Sequence, residues 1–474
     1  MMRLALESVP PCAEPHALLE SLGRSERPFL LESTAPASGL ARWSFLGHAA
    51  PPVLVARGRD CRILEPSGIW TRSDRDPFEA ARELLGRTRL GREEAARAPF
   101  PFRGGLVGWF GYEANRLLER LPGRAVEDLG LPHICLATVR ELVAIDHAED
   151  RAWVACLAPD RGAAASRAHE IARKLPDVRP YRRSEVAPID ELATPAAWAR
   201  WRSPFSEASY AAMVERAREM IRDGTVFEVC LTHRFERWCE EDGDCLYWAL
   251  SHVNPAPFAA YLGFPEAQVI SSSPERFLRV TDSGMVESCP IKGTRPRGCC
   301  EEEDRELQAE LASSEKDRAE NLMIVDLVRN DLGRVCRFGT VHVPRLLAVE
   351  RHPTVFQLVS EVAGELREGV DAIDAVRAAF PPGSMTGAPK IEAMKVIDAF
   401  EPVARGVYSG AIGYLDAAGG CDLSVAIRTF VKVGRRLTFS VGGAVVADSD
   451  PVAEYQETLD KARALVAAAA LCAG

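Results

Sequence analysis

Short strand-like apolar runs, separated by glycine and turn residues, constrain the fold of this chain more than any other feature. Such runs lie in residues 26–55, at 226–235, 258–262, 269–272 and 277–280, and again at 406–415, 426–433 and 437–446. Runs of this length and punctuation are typical of strands. The last three are predicted to form a meander, and the glycine-laced residues 102–112 a strand pair. A chain this rich in strands, with helices in separate stretches, predicts a mixed α+β fold.

Helical patterns stand apart from these runs. Residues 206–223 place apolar side chains on one face, after a serine and before a glycine, as helices begin and end. Residues 313–333 also begin with serine and end with glycine. Further helices are predicted at 76–90, directly after the turn at 381–390, and at 451–470.

A proline-rich segment divides the chain. Five prolines with charged residues among them lie between positions 176 and 204, which is typical of a connector. We therefore predict an N-terminal region at 1–195 and a second region at 204–469. The length of 474 residues fits two or three domains, or one large elaborated domain.

Charge and hydropathy exclude some classes of function. A net charge of −10 argues against nonspecific nucleic-acid binding, which requires a basic surface. No apolar stretch has the length of a membrane helix, and the first residues lack the apolar core of a signal peptide. We therefore predict a cytoplasmic protein that binds neither nucleic acid nor membrane. The 13 cysteines contain no C-x-x-C pair and are predicted to be mostly reduced core residues.

Two of the predicted helices carry acidic residues on one face. Asp317 and Glu320 are three positions apart on one helix, and Glu454, Glu457 and Lys461 share a face of the last helix. Carboxylates without neighbouring histidine or cysteine suit a hard cation such as Mg²⁺. Solvated helix surfaces have the same spacing, so the spacing alone leaves both interpretations open.

Glycine-rich turns and one arginine offer places for an anionic ligand. The turn PPGSMTGAPK at 381–390 leads into a helix, whose N-terminus can bind an anion. Gly442 and Gly443 can bring backbone close to a ligand. Arg428 interrupts an apolar strand pattern, where its guanidinium can bind a carboxylate or form a structural ion pair.

A lysine and a glutamate in loop-like segments are candidates for catalysis. Of the 58 lysines and arginines, seven are lysines, so Lys292 in SCPIKGTRPRG is a candidate for chemistry that arginine does not provide. Glu275 follows a proline between two strand-like runs, where its carboxyl can serve as a general acid. Both residues also fit a solvated loop when each is considered alone.

Six motifs in register resemble those of the chorismate-utilising enzymes: PIKGTRPRG, DRAENLMIVDLVRNDLGRV, GSMTGAPK, GAIGY, AIRT and ADSDPVAEYQET. The similarity is dense over residues 204–468, and LLES at 30–33 and WSFLG at 43–47 extend it over nearly the whole chain. The resemblance implies an anthranilate-synthase-like α/β sandwich of two facing antiparallel sheets. Helices are expected outside the sheets and the active site in the cleft.

The resemblance also implies roles for individual residues. Glu320 and Glu457 are expected to bind Mg²⁺ directly, and Asp317 and Glu454 to reach it through water. The metal is expected to hold a carboxylate of chorismate. The implied substrate-binding residues are Arg428, Thr386, Gly387, Tyr408, Gly442, Gly443 and Lys461. Glu32, Ser33 and Ser44 match the tryptophan pocket of anthranilate synthases, which related enzymes retain with or without regulation.

The PIKGT motif distinguishes subfamilies. It resembles the aminodeoxychorismate-forming members, whereas anthranilate-forming members resemble PIAGT, and isochorismate-forming members use a lysine where this chain has Glu228. The resemblance implies that Lys292, kept neutral by burial and by the metal, attacks C2 of chorismate while Glu275 protonates the departing C4 hydroxyl. Ammonia then adds at C4. An anthranilate-type or isochorismate-type synthase, and a non-catalytic partner of an amidotransferase, are the alternatives.

The ammonia is expected to come from a partner. The chain contains neither a G-x-C-x-G-x-Q nucleophile turn nor a paired H-x-E. We therefore expect a separate glutamine amidotransferase subunit to supply ammonia from glutamine.

Overall fold

Antiparallel β-structure dominates the protein. The computed structural model describes residues 1–10, 14–23, 25–34, 42–175, 186–352 and 355–473. The strands are β1 (Arg3–Val9), β2 (Pro28–Glu32), β3 (Trp43–His48), β4 (Ala50–Arg57), β5 (Asp60–Leu64), β6 (Trp70–Ser73), β7 (Gly105–Phe110), β8 (Ile134–Val139), β9 (Glu141–Asp146), β10 (Arg151–Ala158), β11 (Glu228–Trp238), β12 (Phe258–Phe264), β13 (Ala267–Ser273), β14 (Arg276–Val280), β15 (Met285–Cys289), β16 (Ile291–Pro296), β17 (His342–Arg351), β18 (Val355–Glu365), β19 (Gly387–Ala388), β20 (Ala411–Asp416), β21 (Cys421–Val425), β22 (Thr429–Val433) and β23 (Arg436–Val445).

Helices lie between groups of strands. They are α1 (Pro15–Ser21), α2 (Pro77–Gly86), α3 (Arg92–Ala95), α4 (Arg161–Ala172), α5 (Ile189–Leu192), α6 (Pro195–Trp198), α7 (Glu207–Arg222), α8 (Gly243–Val253), α9 (Glu301–Ser313), α10 (Glu315–Gly333), α11 (Ala372–Ala379), α12 (Lys390–Phe400) and α13 (Pro451–Ala473). Short 3₁₀ helices occupy Tyr112–Leu117 and Gly383–Met385. The long helices predicted from the sequence are present, and the side chain of Ser206 caps α7 as expected.

The strands form two large sheets within the described residues. The first sheet has the order β1-β10-β9-β3-β2-β12-β13-β22-β23-β11-β19, and the second has the order β16-β18-β15-β14-β21-β20-β7-β8-β4-β5-β6, with β17 paired to β18. Strands from the N-terminal and C-terminal regions are neighbours in both sheets: β2 pairs with β12, and β7 with β20. The sheets are therefore assembled from strands that are far apart in the sequence.

Three apolar layers hold the architecture together. One layer packs β1, β2 and β3 of the first sheet against β4 and β7 of the second, with Phe29, Phe45 and Trp109 among its buried side chains. Helices α8 and α13 cover the outer face of the first sheet, and α2, α10 and α11 cover that of the second. The order helix, sheet, sheet, helix confirms the expected sandwich with outer helices.

The predicted meander near the C-terminus is wrong. β20 pairs with β21 in the second sheet, whereas β22 and β23 form a hairpin in the first. The chain crosses between the sheets at residues 426–428, where Arg428 has a left-handed backbone with φ of 49°. The run predicted at 426–433 therefore contains the crossing as well as a strand, and the sequence pattern missed β21.

The strand pair predicted at 102–112 is also wrong. This segment contributes β7 alone, and the chain then enters the 3₁₀ helix at Tyr112. β7 pairs with β8 and β20 instead of folding back on itself. A Cβ atom on Gly108 would lie 1.9 Å from the carbonyl oxygen of Cys135, so the glycine serves close strand packing rather than a turn.

The connector and the cysteines differ partly from expectation. Residues 176–185 of the proline-rich segment lie outside the described residues, and the remainder contains α5 and α6. Ten described cysteines are free, and eight of them are buried, as predicted. Cys245 of α8 and Cys472 of α13 form a disulfide.

Among the described residues, no helix has the length and apolarity needed to cross a membrane.

Candidate active site

Lys292 and Glu228 connect the two sheets. Lys292 lies in β16 of the second sheet, and its Nζ donates a hydrogen bond of 2.5 Å to Oε1 of Glu228, the first residue of β11 in the first sheet. The side chains are 10% and 1% exposed, respectively. The other carboxylate oxygen of Glu228 is buried without a hydrogen-bond partner. The lysine is thus a buried, oriented group and not a solvated loop cation.

The lysine is charged in this arrangement. Burial lowers the pKa of Lys292, but the carboxylates of Glu228 and Glu320 outweigh burial and raise the pKa above its ordinary value. Burial alone therefore does not keep the amine neutral, and the expectation of an amine kept neutral by burial and the metal together stays a prediction. The physical reason is the carboxylate of Glu228, which stabilises the ammonium form.

Glycine at position 293 brings this lysine close to the acidic helix α10. Gly293 has φ of 86°, and a Cβ atom there would lie 2.9 Å from the side chain of Asp317. Any larger residue would therefore clash with α10, in a backbone conformation that favours glycine. The Lys-Gly pair of the motif thus sets the distance between β16 and the acidic residues.

Glu275 lies immediately before β14 and is 5% exposed. Burial raises the pKa of Glu275 to about 7, against the opposing effects of the Ser384 hydroxyl, the Lys292 charge and the Ile291 amide. A carboxyl with this pKa is substantially protonated near neutral pH. It therefore meets the requirement for a general acid, which is a pKa close to the working pH.

The acidic helices α10 and α13 meet at the same site. Glu320 on α10 and Glu454 on α13 are 8% and 3% exposed, and burial raises the pKa of both, that of Glu320 to about 7. Oε1 of Glu320 and Oε2 of Glu454 are buried without hydrogen-bond partners. Lys316 Nζ lies 3.6 Å from Glu454 and 3.9 Å from Glu320. These contacts exclude the interpretation of solvated surfaces for Glu320 and Glu454.

The other two predicted metal-binding residues have partners of their own. Asp317 accepts a hydrogen bond of 3.0 Å from Arg295, and Glu457 pairs with Lys461 at 2.6 Å. Burial raises the pKa of Glu457, but the hydrogen bond from Lys461 and the charges of Lys461, Lys316 and Lys292 together outweigh burial, and the net shift is downward. The groups of three or more metal-binding side chains with ligand atoms within 4.8 Å of one another are, in the described residues, Cys299-Cys300-Glu303 and His16-Glu20-Asp244. Neither group contains a predicted ligand.

The glycine-rich segments border the same site. β19, formed by Gly387 and Ala388, pairs with the first residues of β11, so the GSMTG turn lies beside Glu228. Thr386 is buried, and its carbonyl accepts the N–H of Cys230. Gly443 allows Glu454 to lie over the sheet, since a Cβ there would be 2.7 Å from Glu454 Oε2. The carbonyl of Gly442 accepts a hydrogen bond from Lys461.

Arg405 anchors this turn from behind. Its buried guanidinium donates to the carbonyls of Met385 and Cys230, each at 2.7 Å. Glu401 pairs with the same guanidinium at 2.6 Å and also accepts the N–H of Thr232. The turn and β11 are therefore fixed against each other, which fixes the position of Thr386 relative to Glu228.

Arg428 presents a partly buried guanidinium at the crossing between the sheets. Burial lowers its pKa, and its hydrogen bond goes to the Asn254 amide oxygen at 3.3 Å. In the described part of the chain, no carboxylate forms an ion pair with it. A guanidinium of this kind, on a left-handed backbone that costs on the order of 1 kcal/mol, fits an anionic ligand better than a structural ion pair. Tyr408 lies in the turn before β20, and its side chain is buried in the apolar core.

The residues of the predicted tryptophan pocket lie elsewhere. Glu32 and Ser33 line a cavity of about 480 Å³, which also includes Phe258 and Tyr414 but none of the acidic helices. Ser44 lies next to it and contacts His147 at 2.7 Å, and Glu32 accepts a hydrogen bond from Tyr247. This cavity is distinct from the site at Lys292, and the binding of tryptophan there stays a prediction.

Sequence reasoning missed Glu228 and Lys316 as parts of the site. Glu228 was visible as an acidic residue directly before the apolar residues 229–231, but its partner is 64 positions away. Lys316 precedes Glu320 by four residues and so shares its helix face, which is a usable signal. Ser384, in the predicted turn, lies near Glu275 without any sequence feature that marks it.

Comparison with known proteins identifies relatives over most of the chain. A family model described as a chorismate binding enzyme matches residues 42–467. An aminodeoxychorismate synthase of Streptomyces pristinaespiralis is 45% identical over 450 residues, covering 93% of this chain and 61% of that protein. Anthranilate synthase component 1 of Streptomyces coelicolor is 40% identical over 463 residues, covering 95% of this chain and 85% of that protein. The chain therefore spans about three fifths of the length of the first relative.

The fold has a counterpart among solved structures. Anthranilate synthase component I from Streptococcus pneumoniae superimposes with a TM-score of 0.75 at 30% identity, covering 90% of this chain and 93% of the other. The two facing sheets and the outer helices described above are thus a known arrangement.

Proposed function

This chain belongs to the family of chorismate-binding enzymes, and we propose that within it the chain transfers ammonia to C4 of chorismate. The product is 4-amino-4-deoxychorismate, with the enolpyruvyl group retained. The observation that carries the proposal is the buried Lys292, held 2.5 Å from Glu228 and close enough to Glu275 to lower its pKa. The 45% identity with an aminodeoxychorismate synthase supports the same product.

Proton transfer within the Lys292–Glu228 pair prepares the nucleophile. The 2.5 Å contact lets the ammonium give a proton to Glu228, which leaves a neutral amine. The amine attacks C2, the double-bond electrons shift through the ring, and the C4–O bond breaks. Glu275 gives its proton to the departing oxygen, so that water leaves. The pKa of Glu275, about 7, suits this step.

Ammonia completes the exchange. It attacks C4, the electrons return through the ring, and the bond between C2 and Lys292 breaks. The new C4 ammonium loses a proton to Glu275, and the released amine takes its proton back from Glu228. Chorismate and ammonia thus give the aminated product and water, and the three side chains return to their starting states.

We also propose that the acidic residues of α10 and α13 bind Mg²⁺. The buried oxygens of Glu320 and Glu454 that have no hydrogen-bond partner fit a hard cation, because such a cation takes oxygen ligands. Glu320 and Glu457 would hold it directly, with Asp317 and Glu454 in contact through water. Bound Mg²⁺ would supply positive charge for a carboxylate of chorismate. Arg428, Lys461 and the backbone at Thr386, Gly387, Gly442 and Gly443 would bind the remaining polar groups of the substrate, and Tyr408 would border it.

Ammonia is proposed to come from glutamine through a separate amidotransferase. The mechanism above uses the base, the acid and the nucleophile proposed at this site for the reaction of chorismate. It assigns no residue to the hydrolysis of glutamine. A partner subunit would therefore complete the physiological reaction, and ammonium salts would replace it in vitro.

Product analysis tests the proposed function. The purified protein is incubated with chorismate, MgCl₂ and ammonium chloride, and the products are identified by mass spectrometry and absorbance. A product with the mass of chorismate after exchange of hydroxyl for amine, and with the enolpyruvyl group intact, supports the proposal. Fluorescent anthranilate would establish the alternative that the 40% identity with an anthranilate synthase favours. Isochorismate or unchanged chorismate would also refute the proposal.

Replacing Glu228 with glutamine is expected to change the pH dependence of amination. In the wild type the lysine proton passes to Glu228, so the rate does not depend on releasing it to solvent. In E228Q the proton must leave to solvent, and since Glu228 raises the pKa of Lys292, this pKa falls in the variant. The rate of E228Q is therefore expected to be lower than that of the wild type near neutral pH, and the ratio of the two rates at the same pH is expected to increase with pH, because both proteins keep the acid Glu275. Initial rates between about pH 6 and about pH 9 measure this.

A purely structural role for Glu228 gives a different pattern. If the carboxylate only holds the lysine in place, E228Q loses activity by the same factor at every pH. That result would contradict proton transfer within the pair. The melting temperature of E228Q at each pH serves as the control for folding.

A further inference from the structure

Lys316 lies between the two acidic helices. It belongs to α10, yet its Nζ is 3.6 Å from Oε1 of Glu454 on α13 and 3.9 Å from Oε1 of Glu320 on its own helix. The Lys316 side chain is 53% exposed, whereas those of Glu320 and Glu454 are 10% and 3% exposed. The ammonium is therefore at the solvent side of a pocket whose walls are buried carboxylates.

This ammonium offsets part of the negative charge of the pocket but does not complete the hydrogen bonding of its carboxylates. Both distances exceed those of hydrogen bonds to a carboxylate, and Oε1 of Glu320 and Oε2 of Glu454 have no hydrogen-bond partner. Ser449 donates to the other oxygen of Glu454 at 2.7 Å. Two buried oxygens thus retain the capacity to bind a cation that comes closer than Lys316 does.

The two lysines at the pocket, Lys316 and Lys461, have different partners. Lys461 does not compete for the same place, because it is held by Glu457 at 2.6 Å and by the carbonyl of Gly442 at 2.9 Å. Lys316 is therefore the cation that joins α10 to α13 across the pocket.

We propose that Lys316 is a displaceable counter-ion that takes the place of Mg²⁺ in the metal-free protein and swings into solvent when the ion binds. The inference rests on the proposed function, since it assigns the same pocket to Mg²⁺. An ammonium within 4 Å of both carboxyls and a divalent ion held by the acidic residues of the same pocket would repel each other strongly. The four-carbon side chain of Lys316 is already half exposed, so the movement requires no change in the backbone.

The exchange of the Lys316 ammonium for Mg²⁺ has two thermodynamic consequences. Mg²⁺ binding must first break the contacts of Lys316, so the apparent affinity for the metal is lower than the carboxylates alone would give. In the absence of metal, Lys316 reduces the repulsion between the buried carboxylates and so stabilises the packing of α10 on α13. Removing its charge is therefore expected to strengthen metal binding and to weaken the metal-free protein.

Mg²⁺ titration of Lys316→Met, without chorismate, tests the exchange. Isothermal titration calorimetry is expected to show about fivefold tighter binding of Mg²⁺ than in the wild type, the size expected for a partly exposed ion pair. Lys395→Met is the matched control. Lys395 is a half-exposed lysine on α12 that pairs with Glu392 at 2.7 Å, and its loss changes the net charge equally. This control is expected to bind Mg²⁺ like the wild type.

Melting temperatures provide a second readout. Lys316→Met is expected to melt below the wild type without metal, and the difference is expected to disappear at saturating Mg²⁺. Lys316→Arg, which keeps the charge, is expected not to bind the metal more tightly than the wild type. Equal or weaker Mg²⁺ binding by Lys316→Met than by the wild type would overturn the inference.

The inference and the proposed function fail separately. If the wild type forms the C4-aminated product but Lys316→Met binds Mg²⁺ no more tightly, the exchange is wrong and the function stands. If Lys316→Met binds Mg²⁺ more tightly but the wild type forms anthranilate, the exchange is correct and the proposed product is wrong. A wild type that binds no Mg²⁺ overturns the inference together with the proposed metal.

Discussion

Replacing Lys292 with alanine is expected to lower the rate of C4 amination by at least about 10³-fold, because the variant lacks the nucleophile of the covalent path. The cavity left by the side chain gives ammonia access to C2, so the remaining product is expected to be aminated at C2. Rates with saturating ammonium and Mg²⁺, followed by separation of the two aminated products, measure both effects.

The Lys292→Arg variant tests whether Lys292 acts as a nucleophile or only through its positive charge. Arginine can pair with Glu228 as the lysine does, but its guanidinium stays protonated and does not attack carbon at neutral pH. We expect this variant to be as inactive as Lys292→Ala, with normal folding. C4 amination by either variant at a rate near that of the wild type would exclude a covalent role for Lys292.

Replacing Glu275 with glutamine is expected to reduce the rate about 10²- to 10⁴-fold, the usual contribution of a general acid. The amide is close in shape to the carboxyl but has no proton to give to the C4 hydroxyl. In the wild type the acid form is the active one, and burial raises the pKa of Glu275 to about 7. Activity should therefore fall as the pH rises through about 7, and the residual rate of E275Q should lack this fall.

Stability distinguishes this effect from misfolding. Burial raises the pKa of Glu275 in the folded protein above its ordinary value, so the folded state loses stability from this group as the pH rises from the ordinary pKa to about 7. A neutral glutamine avoids the cost of a buried charge. E275Q is therefore expected to melt no lower than the wild type above pH 7, and full activity in E275Q would refute its role as the acid.

Local elements of the fold could be predicted from the sequence, but the order of the strands could not. Helix α7 was visible from its serine cap and apolar face, and α10 from its flanking serine and glycine. By contrast, β2 pairs with β12, more than 200 positions away, and no local pattern encodes such a pairing. The two-sheet sandwich itself was anticipated by resemblance to a family, not by periodicity.

The crossing at Arg428 shows why the C-terminal strands were assigned to one meander. Residues 426–433 are mostly apolar, and the pattern does not reveal the left-handed residue at which the chain passes from one sheet to the other. Arginine is uncommon in that conformation. The position was nevertheless singled out, because a charged residue interrupted an apolar run.

The site was predictable where residues share a helix and unpredictable where sheets meet. Asp317 and Glu320 were placed on one face by their spacing, and the structure keeps them together on α10. The ion pair of Lys292 with Glu228 depends on two strands from different sheets. Its consequence, a raised pKa of Lys292 in the protein without metal, follows from that contact and could not be derived from either motif alone.

The covalent bond to Lys292 can be observed in a single experiment. The wild-type protein, in excess over chorismate and with Mg²⁺ but no ammonia, is quenched with acid at successive times, and the peptide that contains Lys292 is analysed by mass spectrometry. We expect this peptide to gain the mass of chorismate less one water, and to lose that mass when ammonium is added before the quench. Formation of the C4-aminated product while the Lys292 peptide stays unmodified at every time would contradict the mechanism.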